Sequence, residues 1–550
     1  MGHRCLGSPR RTLDGMTAEP GPGAVVPCDA EHDPTATYAL EPALARRLTR
    51  RLESSSGQPM TPTAPFTGQP IASIPTSSLA DVAVAFERAR SVQRAWAETA
   101  PSERAQVLLR YHDLVLDHQD ELLDLIQWES GKARKHAFEE VAHVAMTARY
   151  YGRIGAAQLA TRRRPGLYPV LTRVDVHQFP KGVVGIISPW NYPLTMALAD
   201  ALPALMAGNA VVHKPDSQSV LTALRGVELL LEAGLPAELW QTVVGEGPVV
   251  GAAVVEHADH VCFTGSTATG RLVAATAADR LIGVSLELGG KNPMLVLRDA
   301  DLDRAAEGAV RACFSSAGQL CVSMERIYVA DAVFDGFVRR FVERVEAMRL
   351  AATFDYTADM GSLVSAAQLA TVSRHVDGAV AAGALVLTGG RARPDLGPYF
   401  YEPTVLSGVR PGMECFDAET FGPVASVYRF IDETEAVARA NDGPYGLNAS
   451  IYTRDGCRGR ELARRIRCGT VNVNEAYSAT FGSVAAPMGG MRQSGLGRRQ
   501  GVEGLLRYTE PQAVATQRVL PMRPVLGMSE ERYAKTLTTT LRLLHRLRRP

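Results

Sequence analysis

Cysteine, glutamate and asparagine side chains at three separated positions form the chemically most telling set in this sequence. Cys321 closes the run Phe314-Ser315-Ser316-Ala317-Gly318-Gln319-Leu320-Cys321, and Glu287 sits in Leu286-Glu287-Leu288-Gly289-Gly290-Lys291. A thiol supplies a nucleophile and a carboxylate a general base. A lone cysteine is usually a small buried hydrophobe, but its neighbours set Cys321 apart. The Gly318-Gln319 turn presents the thiol at the start of a new segment, and the Gly289-Gly290 pair lets backbone approach a bound group closely. Asn191 lies in Ser188-Pro189-Trp190-Asn191-Tyr192-Pro193. A side-chain amide in a proline-bounded turn is what an oxyanion hole needs.

The chain that must position these groups has 550 residues, 46% hydrophobic and 21% charged, enough for two or three domains with their own cores. Lysine plus arginine number 59 against 58 acidic residues, a net charge of +1. Such a balance gives no long-range field for nucleic acid, so none is expected as a partner. The eight cysteines are scattered, with no C-x-x-C pair and no zinc spacing, which predicts a reduced, cytoplasmic compartment and no metal. No apolar core follows the basic first residues, and no run of 18 apolar residues occurs, so secretion and membrane spanning are not expected. Only six basic residues are lysines (132, 135, 181, 214, 291 and 535). Where lysine persists against so strong a preference for arginine, a compact ammonium is a reasonable requirement.

Residues 1–35, rich in Gly, Pro and charge without apolar periodicity, read as a disordered tail, with Met16 an alternative start. Order begins near Phe66. Leu79 to Glu98 has helical apolar spacing, and further helices are expected over 102–118 and 119–152. Val170 to Phe179 alternates like a strand, and Gly182 to Ile187 reads as a buried one. Alternating units follow: helix 194–206, strand 210–213, helix 219–233, strand 240–244, helix 248–256 and strand 260–263. This pattern predicts an α/β fold with a parallel, doubly wound sheet as a cofactor platform.

At the end of that sheet, Phe263-Thr264-Gly265-Ser266-Thr267-Ala268-Thr269-Gly270 runs from strand into helix, a phosphate-sized site at a positive helix terminus. Its G-x-x-x-x-G spacing differs from the usual dinucleotide fingerprint, and a plain strand-to-helix turn explains it equally. Lys214-Pro215-Asp216-Ser217, after the preceding strand unit, adds a lysine and short polar groups for an adenosine ribose at the edge where open α/β sheets bind ligands.

Taken together, residues 60 to 518 resemble the aldehyde dehydrogenase superfamily. The resemblance rests on Pro189-Trp190-Asn191, Lys214-Pro215, Phe263 to Thr267, Glu287 to Lys291, Gly318 to Cys321, Glu419-Thr420-Phe421-Gly422-Pro423, and Pro487 to Gly490 with Ser494 to Arg498, in the family's order. Within it the chain is most similar to bacterial NADP-dependent succinate-semialdehyde dehydrogenases. The resemblance implies an α/β fold of the family's type: a Rossmann-type cofactor domain (36–164 and 182–289), a catalytic domain (290–504) and oligomerisation strands (165–181 and 505–519). It implies Cys321 as nucleophile, Glu287 as base and Asn191 as oxyanion donor. Pro189, Trp190, Lys214, Ser217, Gly265, Ser266, Gly270, Leu288, Glu419 and Phe421 would bind the cofactor. A homodimer or homotetramer is implied as well.

Ser217 stands where NAD-using relatives often place a ribose-chelating glutamate. A carboxylate there would repel each charge of a 2′-phosphate by roughly 1–4 kcal/mol at about 4 Å. NADP is therefore expected, with NAD the alternative and Asp216 an opposing influence if it turns inward. The substrate is less determined, because the arginines that clamp succinate semialdehyde in relatives are replaced by Ala199 and Ser315. Arg311, Ser315, Ser483 and Ser478 are candidate replacements, and the segment 474–487 a candidate lining of the substrate mouth. An apolar or aromatic aldehyde, a CoA-acylating enzyme, which Glu287 argues against, and a family member that has lost catalysis remain alternatives. After residue 519 a basic amphipathic helix is expected, with Leu537, Leu541, Leu544 and Leu547 on one face and Arg542, Arg546, Arg548 and Arg549 around it. Packing on its own subunit is expected, membrane-surface contact being the alternative.

Overall fold

Helix Leu79–Glu98 begins where its sequence signals say it should. Ser78 accepts from Asp81 N, and Asp81 reaches back to the Ser78 backbone, a reciprocal cap. Its inward face carries Val82, Ala85, Phe86, Ala89 and Trp96. The computed structural model describes residues 42–167, 171–518 and 521–546. The expected tail at 1–35, with Met16, lies outside them, as do Leu547, Arg548 and Arg549.

Helix Pro101–Asp117 follows as expected, but the single helix expected over 119–152 is two, Gln119–Ser130 and Arg134–Leu159. Gly131 ends the first at φ 70°, a left-handed conformation suited to glycine. A Cβ there would lie 2.3 Å from Ser362 Oγ, so close packing as well as backbone geometry fixes the break.

The first large sheet has six strands in the order Gly495–Leu496, Gly283–Glu287, His260–Thr264, Val183–Ile187, Ala210–Lys214 and Trp240–Thr242. All neighbours run parallel except Gly495–Leu496, antiparallel to Gly283–Glu287. Val183–Ile187 and Ala210–Lys214 are buried throughout, as strands covered on both faces must be. The strand expected at 240–244 ends at Thr242, and the helix expected at 248–256 opens with a π turn, Gly247–Gly251, before Ala252–His257. A second sheet of seven strands is built from residues 292–296, 324–330, 385–388, 404–407, 424–430, 448–452 and 470–473, parallel except at its 385–388 edge. The short strand Gly495–Leu496 thus returns from a segment expected to be catalytic to edge the first sheet beside Glu287.

A third sheet pairs Thr172–Pro180 with Arg162–Pro165 and with Thr509–Gln517, whose outer edge is exposed from Glu510 onward. Beyond it lies the expected C-terminal helix, Glu530–Arg546, with no buried residue. Leu541 and Leu543 are exposed, so the expected packing of this helix on its own subunit is not seen as burial. Among the described residues no helix is long and apolar enough to cross a membrane, and no cluster of His, Cys, Asp or Glu could hold a metal ion.

Candidate active site

Glu287 is the last residue of strand Gly283–Glu287, and the chain is tied on both sides of it. Its carbonyl accepts from Gly265 N (3.0 Å), and Leu288 N donates to Ser494 O (2.9 Å). Cys321 arrives from the second sheet's side, at the end of a backbone that is left-handed for three residues: Ser316 (φ 51°), Ala317 (φ 55°) and Gly318 (φ 69°). Two of these are not glycine and cost about 1–2 kcal/mol each, so tertiary contacts must hold them. His136 Nδ1 accepts from Ser316 N (3.2 Å), and Ser316 Oγ meets Tyr192 OH (3.1 Å). The Gln319 amide donates to Ser316 O and accepts from Val364 N. At Gly318 a Cβ would lie 2.0 Å from Gly422 O, so only glycine lets the cysteine loop rest against the turn that carries Glu419.

Asn191 stands just before helix Pro193–Met206, and its Nδ2 donates to Gln319 O (3.0 Å), leaving its second N–H for a ligand. Lys132, fully buried, fixes this turn. Its Nζ donates to Asn191 O and Glu140 Oε1, both at 2.6 Å, and lies 3.7 Å from the Tyr192 ring centre. Glu140 in turn accepts from Leu194 N and Thr195 N, the orphan donors of that helix's first turn. A second buried lysine serves the Glu419 turn: Lys291 pairs with Glu325, which accepts from Thr420 N (3.0 Å) and Phe421 N (3.1 Å). Glu419 itself accepts from Gly290 N (2.9 Å). Neither Glu140 nor Glu325 was visible in the sequence as part of the site; the signal was the retention of Lys132 and Lys291 in an arginine-rich chain.

Cys321, Glu287, Asn191 and Glu419 share one cavity of about 290 Å³. Pro189, Trp190, Gly265, Ser266, Leu288 and Phe421 line it too. Trp190 and Phe421 meet edge to face with ring centres 5.6 Å apart. Tyr192, Met196, Phe481 and Met488 give another part of the wall an apolar character, with Arg499 the one cation on the lining. Burial pushes the Glu287 carboxyl up to about 7, against the pull of Arg499, and the Glu419 carboxyl to about 8. Desolvation, reinforced by Glu287 and then Glu419, pushes the Cys321 thiol up to about 12. The resting thiol is therefore protonated, and the Glu287 carboxyl is shifted from the usual carboxylate range toward neutral pH.

Three of the expected cofactor residues lie off this cavity. Lys214 ends its strand as a buried residue, and its ammonium makes no ion pair or side-chain hydrogen bond among the described residues. Burial pushes its pKa down and Asp216 opposes. Ser217 Oγ faces Gly245 O at 3.4 Å, and Asp216 turns to its own loop, accepting from Gln218 N (2.9 Å). Gly270 faces protein: a Cβ there would meet Leu288 Cδ2 at 2.5 Å. The strand-to-helix turn is capped by Ser266, which accepts from Thr269 N. An ammonium free of any carboxylate partner, a capped helix start and the Glu419 carboxyl suit in their chemistry the ribose, phosphate and second ribose of a dinucleotide.

The expected substrate residues are not on the cavity. Arg311 is 48% exposed and engaged by Glu139 (3.3 Å) and Glu475 (3.7 Å), over the Tyr477 ring. Ser315 Oγ donates to Arg311 O, Ser483 Oγ to Ala479 O, and Ser478 Oγ to Glu475. Local hydrogen bonds thus engage all three serines. That loop does reach the cavity, through Phe481. Arg499 was missed, since nothing in the sequence placed residue 499 beside residue 287.

Residues 52–514 match the aldehyde dehydrogenase family. A Mycolicibacterium smegmatis protein named "Putative succinate-semialdehyde dehydrogenase [NADP(+)]" is 54% identical over 482 residues, 88% of this chain and 93% of that one. "Succinate-semialdehyde dehydrogenase, mitochondrial" of Oryza sativa subsp. japonica is 36% identical over 81% of this chain and 84% of its own. Among solved structures, an "E. coli NADP dependent enzyme" superposes with a TM-score of 0.82 at 33% identity, covering 86% of this chain and 99% of its own. Staphylococcus aureus betaine aldehyde dehydrogenase in complex with NAD+ gives 0.82 at 29% identity, covering 89% and 99%.

Proposed function

The chain belongs to the aldehyde dehydrogenase family, and on that premise we propose that it oxidises succinate semialdehyde to succinate with NADP. The observation that carries the chemistry is the meeting of Cys321, Glu287 and Asn191 on one cavity. In this reading the Cys321 thiol loses its proton to solvent and the thiolate attacks the aldehyde carbon. The oxyanion of the thiohemiacetal is held by the free N–H of the Asn191 amide and by Cys321 N–H. NADP, when bound, supplies the acceptor for hydride. Glu287 then removes a proton from the water that hydrolyses the Cys321 thioester, and the acid leaves. A carboxyl near 7 suits that step, since it takes the proton of the attacking water and releases it to solvent at neutral pH.

Lys214 and Ser217 are the groups for the adenosine ribose and its 2′-phosphate, and Glu419 for the nicotinamide ribose. With a lysine unpaired by any carboxylate and a serine where a glutamate would repel, NADP is favoured over NAD. The exposed edge of Thr509–Gln517 supports assembly as a homodimer or homotetramer. The six described cysteines, all free, suit a cytoplasmic enzyme.

A second reading, an apolar aldehyde, is favoured by Met196, Phe481 and Met488 on the wall. The relatives' names support the dianionic product, and rates decide between the two. Charge-assisted hydrogen bonds to the distal carboxylate are worth about 1.5–3 kcal/mol each. For succinate semialdehyde kcat/KM should therefore exceed that for butanal by about 10²-fold. Equal or better use of butanal gives the apolar reading. NADPH formed only when CoA is present would instead identify an acyl transfer to CoA, and no NADPH with any aldehyde a loss of catalysis.

A further inference from the structure

Behind Glu287 lies an ion cluster that the reaction as described does not use. Asp200, on helix Pro193–Met206, is 4% exposed and accepts from two arginines. Arg499 binds it through Nε (3.2 Å to Oδ1) and Nη2 (2.6 Å to Oδ2), and Arg507 through Nη2 (2.6 Å to Oδ1). Arg499 is 5% exposed, and Arg507 has no ion-pair partner besides Asp200 among the described residues. Two guanidiniums thus share one carboxylate, and a positive charge is left over in the interior. Burying an uncompensated charge is expensive, so a further anion nearby is to be expected. Arg499 carries the surplus to the cavity wall, where its Nη1 has, among the described residues, the Met196 sulfur at 3.3 Å as its hydrogen-bond partner.

We propose that the Arg499–Asp200–Arg507 cluster is a positioning device for Glu287, its surplus positive charge holding that carboxyl in the ionised form needed to activate water. This rests on the reading of Glu287 as the hydrolytic base. Among the described residues the charged and titratable groups around Glu287 are Arg499 and Arg498 from the segment after Gly495–Leu496, Arg507 after helix Gly501–Leu506, Asp200 from helix Pro193–Met206, the Cys321 thiol and, on the same cavity, the Glu419 carboxyl. Three of the six are cations. Burial raises Glu287 and Arg499 is the largest influence against it, in keeping with the geometry. The sign is fixed: without the surplus charge the carboxyl holds its proton to higher pH, and deacylation begins at higher pH.

Two variants remove the surplus while leaving Asp200 paired. Arg499→Met keeps Arg507–Asp200, and Arg507→Met keeps Arg499–Asp200 at a place that does not touch the cavity. Steady-state turnover and the pre-steady-state NADPH burst are measured across the neutral range with NADP and succinate semialdehyde, and again with butanal. An opposite charge within a few ångströms moves a carboxyl by about 1–3 pH units. Arg499→Met should raise the pH at which steady-state turnover sets in by about that much, and Arg507→Met, off the cavity, should raise it in the same direction by less, with either aldehyde and while the burst survives. Arg499→Lys should restore most of the wild-type profile. An unchanged pH onset in Arg507→Met, with the protein folded by thermal melting, overturns the proposal. So does a loss in Arg499→Met confined to a raised KM for succinate semialdehyde, which would make Arg499 a substrate anchor. If Arg507→Met fails to fold, Arg499→Met against Arg499→Lys carries the test, and equal onset pH in those two overturns it. Failure of the underlying reading looks different: Glu287→Gln would then turn over like wild type, whatever the arginines do.

Discussion

Replacing Gly318 by alanine tests how tightly the nucleophile is built into the fold. The added Cβ would lie 2.0 Å from Gly422 O and 2.4 Å from its carbonyl carbon. An ordinary carbon–oxygen contact is about 3.3 Å or longer, so the Cys321 loop and the Phe421-Gly422 turn must separate by about 1 Å. Both carry site residues, Cys321 on one and Glu419 on the other. A misplacement of that size costs about 10²-fold in rate when reacting atoms must meet at near-contact distance, equivalent to about 2.7 kcal/mol of barrier. The left-handed φ of 69° adds about 1–2 kcal/mol of stability loss. Gly412→Ala is the matched control: its φ is 92° and nothing lies within 4 Å of the new Cβ, so it should lose stability and keep activity. Burst rate by stopped flow and thermal denaturation measure the two effects. A Gly318→Ala enzyme with the kcat/KM of wild type would refute the argument that this contact sets the position of the thiol.

Ser217→Glu should move preference from NADP toward NAD, mainly through KM, since a carboxylate near the 2′-phosphate costs roughly 1–4 kcal/mol; KM for both coenzymes measures it, and a wild type that already prefers NAD contradicts it. Lys132→Met leaves Glu140 buried without its cation, which should cost about 3–5 kcal/mol in denaturant unfolding, and frees the Asn191 turn, so the burst should slow more than NADP binding weakens. Turnover of the wild type should fall as pH drops below about 7, where Glu287 takes up its proton, while burst amplitude persists; a flat profile there contradicts the base role.

Much of the first sheet was legible because buried parallel strands are short apolar runs between helices, as Val183–Ile187 and Ala210–Lys214 are. The break at Gly131 was not, because a glycine within a helical pattern is also tolerated there, and the Ser362 side chain that leaves no room for a Cβ is more than two hundred residues away. Cys321, Glu287 and Asn191 could be found because each lies in a short run whose neighbours serve the same chemistry. Arg499 and Asp200 are ordinary charged residues in their own segments, and only the return of Gly495–Leu496 to the first sheet puts them beside Glu287. For Arg311 and Ser315 the partners were not legible in the sequence: helix Leu302–Phe314 points Arg311 at Glu139 and Glu475, and Ser315 donates back to Arg311 O.

The most direct test of the central claim is the time course of NADPH formation by Glu287→Gln under single-enzyme-equivalent conditions. The account predicts a burst of one NADPH per Cys321 followed by near-arrest, with acyl-enzyme on Cys321 detectable by intact mass, and no burst at all in Cys321→Ala. Continued turnover of Glu287→Gln at the wild-type rate, or a burst in Cys321→Ala, would contradict it.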